Sequence, residues 1–247
     1  MIPKVIHYCW FGRNPLPESA LKCINSWKKF FPDYEIIEWN EDNFDINAIP
    51  YTAEAYASKK YAFVSDYARF KILYDHGGLY FDTDVEVIKS FDDILARGAF
   101  MGFEVDAEAT GAKGAVNPGL GLGVAPGLGL YAELLKKYST LRFIHEDGSL
   151  NLTTIVKYTT DLLLEHGLRA TNKIQTVAGI TIYPKEYFNP LNDNTGKLEI
   201  TPNTHSIHWY SKTWLEVNPF RMKLSRLAHR YLGYSISKSI RKLLHIK

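Results

Sequence analysis

The chain is poor in cysteine, with only Cys9 and Cys23 among 247 residues. That count excludes a disulfide-stapled scaffold and a cysteine-based zinc site. The opening Met1-Ile2-Pro3-Lys4 runs straight into a strand-like segment, without the apolar core and cleavage site of a secretory signal. A reducing, cytoplasmic setting is therefore expected. Long apolar runs are scarce too. The uncharged stretch from Gly114 to Ala132 contains six glycines, two prolines and an asparagine, whereas a membrane helix needs about 20 mostly apolar residues. The glycine-rich region 111–129 is expected to be a flexible loop wrapped round a short strand.

Acidic residues are missing from the last 31 positions. Residues 217–247 carry eight Lys+Arg and no Asp or Glu, a charge of +8, while residues 1–216 carry −6. A uniformly basic nucleic-acid-binding domain is disfavoured, so no nucleic-acid partner is expected. The composition, 46% hydrophobic and 23% charged, suits a packed globular domain. The division is a domain over residues 1–216 and a basic helical tail over 217–247. No internal repeat or low-complexity tract is present.

Residues 4–10 read as a buried first strand. Pro17 and Glu18 open an amphipathic helix whose apolar positions Leu21, Ile24 and Trp27 have helical spacing. Residues 34–39 read as a second strand, and strand–helix–strand order points to an α/β domain with parallel pairing. Helices are expected near 53–59 and 63–76, the latter ended by Gly77-Gly78. A short strand over 79–81, an extended segment 85–88 and a strand over 99–103 follow. Residues 130–138 and 152–166 read as helices, and 174–183 as a hairpin.

Two carboxylates, Asp82 and Asp84, close the 79–81 strand. In extended chain they project to the same side, and paired oxygen ligands suit a hard divalent cation, Mn2+ or Mg2+. An Asp-x-Asp by itself is equally a solvated turn. The helix before it adds weight: Asp66 and Arg69 share a face of a segment rich in Phe63, Tyr67, Phe70, Leu73 and Tyr74. A charge pair on a buried helix upstream of an acidic pair suggests a polar site rather than a surface ion pair.

Residues 65–70, Leu73-Tyr74 and Gly77-Gly78-Leu79-Tyr80-Phe81-Asp82-Thr83-Asp84 resemble the sugar-binding region of the DXD glycosyltransferases. More narrowly they resemble glycosyltransferase family 32, including bacterial capsular polysaccharide enzymes. The opening residues 2–12, Ser26-Trp27, Pro32-Asp33-Tyr34, Trp39-Asn40-Glu41, Tyr183-Pro184, Tyr187-Phe188 and the segment 205–214 extend the likeness. Trp209 and Thr213 depart from it, where His and Ser are common.

The resemblance implies a GT-A fold with a central mixed, mostly parallel sheet. It also implies a nucleotide-sugar donor (UDP-sugar is expected), a divalent metal, retention of anomeric configuration, and a saccharide or lipid-linked saccharide acceptor. By the same resemblance Asp84 binds the metal directly, and Asp82 contacts the ribose and assists. Asp66 and Arg69 hold hydroxyls of the donor sugar, and Trp10 lies near the base. His208 is a metal or diphosphate contact, and Trp214 closes the site. Glu104 and Asn117, after strand ends, either face the donor or serve as surface and capping residues.

Rival readings exist. Asp82 and Asp84 after an apolar strand also resemble the first motif of haloacid-dehalogenase-like phosphohydrolases. A non-catalytic sugar- or membrane-binding module is the other alternative. Gly127-Leu128-Gly129-Leu130-Tyr131-Ala132 matches a dinucleotide pattern but sits mid-chain after Pro126. Asn151-Leu152-Thr153 is a glycosylation sequon without secretory context. In the tail, Leu224, Leu227, Tyr231, Ile236, Ile240, Leu243 and Leu244 have helical spacing among basic residues. Such helices either pack on the domain or lie on an anionic membrane, on the inner face of the plasma membrane.

Overall fold

The structure, a computed structural model, describes residues 1–106 and 114–211. Strands β1 (Val5–Cys9) and β2 (Glu35–Trp39) pair in parallel around helix α1 (Glu18–Phe30). Helices α2 (Pro50–Ala57) and α3 (Tyr61–His76) then lead into β3 (Gly78–Tyr80), parallel to β1 on its other side. Next come β4 (Val85–Val87), α4 (Asp92–Leu95), β5 (Phe100–Val105), β6 (Ala115–Val116) and β7 (Leu122–Val124). Helices α5 (Gly129–Ser139) and α6 (Ile155–Glu165), the hairpin β8 (Gln175–Val177)–β9 (Ile180–Tyr183) and β10 (Ser206–His208) complete the described chain.

The main sheet has the order β2-β1-β3-β7-β5-β9-β8, with β6 on β5. Strands β2, β1, β3, β5 and β9 run one way, and β7, β8 and β6 the other. The mixed, mostly parallel sheet is the expected one. Its period-two alternation divides the core. Ile6, Tyr8, Leu79 and Phe100 face α1, with Trp27 and Phe81 at the centre. Cys9, Tyr80, Met101 and Phe103 face α3, α5 and α6. Burying each large side chain removes it from water for about 1.5–3 kcal/mol.

Helix α1 shows how packing fixes the site. Trp27 is fully buried against Tyr8 and Phe81, and its indole N–H donates to the Val85 carbonyl at 2.8 Å. The buried face is Ala20, Cys23, Ile24 and Trp27. Leu21, expected on that face, is 47% exposed: it lies one position off the stripe that Cys23 and Ile24 define. Both cysteines are buried and unpaired.

Helix α3 stops where the sequence suggests. Gly77 takes φ +65°, and a β-carbon there would meet Pro126 and the Val124 carbonyl. The glycine-rich region holds two short strands where a loop round one was expected. Residues 115–124 form β6, a 3-10 turn and β7 in the middle of the sheet, mostly buried. Glycine is used there for close packing: a β-carbon on Gly123 would overlap the Phe100 ring. Residues 107–113 and the tail at 217–247 lie outside the described residues, so the expected tail helices do too.

Candidate active site

A cleft of about 710 Å³ opens at the end of β1 and β3. Four segments build it. Helix α3 supplies Asp66 and Arg69, the turn after β3 supplies Asp82 and Asp84, β10 supplies His208, and the loop after β1 supplies Trp10.

Asp66 and Arg69 are buried at 7% and 4% exposure. Arg69 Nη2 lies 3.1 Å from Asp66 Oδ1 and 3.2 Å from Asp82 Oδ1, and the guanidinium sits 4.9 Å from the centre of the Tyr80 ring. Tyr80 donates its hydroxyl to Asp82 at 3.1 Å. Burial pushes the Asp66 carboxyl up to about 7, against the pull of Arg69 and of the Ile155 N–H at the start of α6. Burial opposes the charge on Arg69 most strongly of any single influence, but Asp82, Tyr80, Asp66 and Cys9 together outweigh it and raise the guanidinium's pKa. One buried cation thus bridges two carboxylates that would otherwise repel.

Asp82 and Asp84 do not lie in extended strand, as the sequence suggested. They flank a turn closed by the Val85 N–H donating to the Asp82 carbonyl at 3.0 Å. The turn still brings them together, because β4 leaves it in an antiparallel ladder with β10 that sets His208 opposite Val85. His208 Nε2 is 3.2 Å from Asp84 Oδ1. Ser211 donates to Asp84 Oδ2 from its N–H at 2.8 Å and from its hydroxyl at 3.0 Å. Burial would raise the Asp84 carboxyl, yet His208 and Ser211 hold it well below the usual carboxylate range. Burial likewise disfavours the His208 imidazolium, and Asp84 followed by Asp82 reverses the sign and raises its pKa.

Asp82, Asp84 and His208 can each turn one ligand atom to within 4.8 Å of the others. Two carboxylates and one imidazole make a donor set suited to a divalent cation such as manganese or magnesium. The second imidazole nitrogen, Nδ1, is buried without a hydrogen-bond partner. Gly119 completes the cradle, since a β-carbon there would overlap Asp82 Oδ2.

Trp10 lines the cleft, half-buried, its indole N–H donating to the Asn14 carbonyl at 2.6 Å. Glu104 and Asn117 both line it as well. Asn117 also takes the capping role: its side chain accepts from the Gly119 N–H at 2.7 Å. Trp214 lies outside the described residues. The sequence reading did not single out Tyr80, Gly119, Tyr210 or Ser211. Tyr80 and Ser211 were readable as near neighbours of the motifs, whereas the contact of Gly119 with Asp82 has no sequence signal. Two weaker motifs sit elsewhere. Asn151 of the sequon is buried against the Tyr158 hydroxyl, and Gly127–Gly129 line a separate hollow with Met1 and Ile2.

Parts of the chain are similar to known proteins. A stretch of 104 residues, 40% of the chain, is 34% identical to inositol phosphoceramide mannosyltransferase 3 of Schizosaccharomyces pombe, covering 29% of that protein. Another of 105 residues, 41% of the chain, is 30% identical to a mannosyl phosphorylinositol ceramide synthase of Saccharomyces cerevisiae, covering 28% of it. The matched stretch thus spans under a third of either relative. Among solved structures, PaToxG glycosyltransferase superposes with a TM-score of 0.52 at 20% identity, over 66% of this chain and 69% of that one. The fold is accordingly of the GT-A glycosyltransferase type. Residues 17–101, which carry Asp66, Arg69, Asp82 and Asp84, match the family described as the glycosyltransferase sugar-binding region containing a DXD motif.

Proposed function

We propose that the protein is a metal-dependent, retaining glycosyltransferase that moves a hexose from a nucleotide-sugar donor to a saccharide or lipid-linked saccharide. The observation that carries this reading is the gathering of Asp82, Asp84 and His208 beside Asp66 and Arg69 in one cleft.

A nucleoside diphosphate is anionic, and bare carboxylates repel it. At an effective dielectric near 20, each like-charge pair at about 4 Å costs roughly 4 kcal/mol. A divalent cation held by Asp84, Asp82 and His208 supplies Lewis-acid stabilisation to the departing diphosphate. Asp66, its carboxyl raised to about 7 by burial, can exchange a hydrogen bond with one sugar hydroxyl and Arg69 can donate to another, fixing the donor hexose. Trp10 offers an aromatic face at the cleft mouth for the base. Under retention, the bond from the anomeric carbon to the diphosphate breaks and the acceptor oxygen attacks from the same face. Its proton passes to the leaving phosphate oxygen.

The mannosyltransferase relatives make GDP-mannose a donor to test beside UDP-hexoses. Surface polysaccharide synthesis, of the capsular kind, remains the setting the sequence suggests. The +8 charge of residues 217–247 supports reversible contact with an anionic membrane surface from the cytoplasmic side. No helix among the described residues is long and apolar enough to cross a membrane. The phosphohydrolase alternative needs Asp82 as a nucleophile, but its carboxylate is already engaged by Arg69 and Tyr80.

The decisive experiment is a screen of nucleotide-hexoses for cleavage with manganese, repeated in excess EDTA. Cleavage that EDTA abolishes and manganese restores is expected. Turnover unchanged by EDTA overturns the metal-dependent reading.

A further inference from the structure

We infer that Glu104 is the residue that receives a hydroxyl of the acceptor saccharide, with Tyr210 and Asn189 as its positioning residues. This rests on the transferase reading above.

Glu104 sits near the end of β5, part-buried, and lines the cleft together with Tyr210 and His208. It is outside the group that can close on a metal. A buried side chain behind it ties its backbone to Tyr210. Asn189, 1% exposed, donates from Nδ2 to the Glu104 backbone carbonyl at 3.1 Å and to the Tyr210 hydroxyl oxygen at 2.6 Å. The phenol oxygen is thereby engaged as an acceptor, and burial followed by the negative charge of the neighbouring Glu104 carboxylate raises the phenol's pKa. The Tyr210 ring packs on His208 at 4.2 Å between centroids. Tyr210 also holds φ at +51°, left-handed backbone that a bulky residue seldom adopts. Strain of that kind persists where neighbours impose it.

The result is a carboxylate whose backbone is tied to a buried side chain, beside but not in the Asp82–Asp84–His208 cluster. An ionised carboxylate only accepts hydrogen bonds and has two oxygens to do so. Glu104 lines the cleft, where either oxygen can accept a hydroxyl. The donor's diphosphate is anionic and would be repelled there, so a neutral polyol is the ligand that fits. On the donor side, hydroxyl contacts fall to Asp66 and Arg69. The acceptor hydroxyl is the one left for Glu104.

The test compares wild type, Glu104→Gln and Tyr210→Phe with tritiated GDP-mannose and UDP-glucose plus manganese, over an array of immobilised glycans. Glycan product and free hexose are counted separately, and thermal midpoints confirm folding. The ratio of transfer to hydrolysis is expected to fall at least about tenfold in Glu104→Gln and less in Tyr210→Phe. A ratio that does not change, or transfer and hydrolysis that fall together in a folded variant, overturns the inference alone. It is likewise overturned by a wild type that cleaves donor and glycosylates no glycan. A wild type that cleaves neither donor overturns the transferase reading along with it.

Discussion

Gly119 lies so close to Asp82 that a β-carbon on the one would overlap a carboxylate oxygen of the other. The relationship is reinforced by the backbone, where the Asp82 N–H donates to the Gly119 carbonyl at 3.3 Å. Gly119→Ala is therefore expected to push Asp82 out of register with Asp84 and His208. Manganese affinity, read by calorimetric titration, should drop about tenfold or more, equivalent to at least about 1.4 kcal/mol. The 3-10 turn itself tolerates alanine, so the thermal midpoint should move little. Unchanged affinity would place the metal away from Asp82.

Asp84 is paired with His208 and accepts twice from Ser211. Asp84→Asn should cost more than tenfold in donor cleavage, at least about 1.4 kcal/mol of transition-state stabilisation. Steady-state rates across a manganese titration check this. A variant that recovers wild-type turnover at saturating manganese would reduce Asp84 to an affinity role.

Asp66 and Arg69 are not equivalent. Arg69 joins Asp66 to Asp82, so Arg69→Ala leaves two carboxylates facing each other without their cation. Removing one partner of a buried ion pair typically costs about 3–5 kcal/mol, and this variant should lose stability, metal affinity and activity together. Asp66→Ala should depress transfer while binding of the nucleoside diphosphate with metal stays within about threefold, under about 0.7 kcal/mol. Thermal unfolding and diphosphate titration of both variants distinguish them. Equal collapse of diphosphate binding in a folded Asp66→Ala protein would remove Asp66 from the donor-sugar side.

Two buried groups give stability opposite pH dependences. His7 donates from Nε2 to the Gly77 carbonyl and accepts at Nδ1 from the Trp39 indole. Burial, with His76 adding to it, lowers its pKa from 6.5 to about 4. An unfolded chain takes up this proton below pH 6.5 and the folded one does not, so the contribution, about 3 kcal/mol, is present above 6.5 and lost as pH falls towards 4. Asp66 works the other way. Its pKa rises from 3.8 to about 7 through burial, so its contribution is present at low pH and lost as pH rises through 7. Asp66→Asn should therefore unmask a stability that climbs between about pH 4 and 6.5. His7→Gln, which keeps a donor for the Gly77 carbonyl, should steepen the opposite slope. Urea unfolding across this range checks both. Parallel pH profiles for the two variants would contradict the assignment.

Much of the fold was readable in the residues. Alternating apolar strands, helix periodicity and the Gly77-Gly78 stop located β1, β2, α3 and β3 to within a few residues. Packing decided the rest. Gly121 and Gly123 read as loop because backbone freedom is what glycine signals alone. Only Phe81 and Phe100 pressing on them explain a buried strand. The site was legible where one short stretch carries it, as with Asp66, Arg69, Asp82 and Asp84. His208 came into view through resemblance, and its place beside Asp84 depends on the β4–β10 ladder, which no local pattern encodes. The contact of Gly119 with Asp82 and those of Asn189 with Glu104 and Tyr210 join distant segments, and spacing carries no trace of them.

The β4–β10 ladder has a consequence for where the protein can be cut. The region matched to the DXD family ends at residue 101, yet β3 hydrogen-bonds to β1 and β7, both outside it. The third candidate ligand arrives on β10 from near the far end of the described chain. The matched segment is thus not a module that could be excised or transplanted with its chemistry. A cation bound by Asp82, Asp84 and His208 would act as a cross-link between remote parts of the chain. At one hundred times its dissociation constant it would add about 2.7 kcal/mol to the folded state, so depletion of metal would be felt as fragility as well as inactivity.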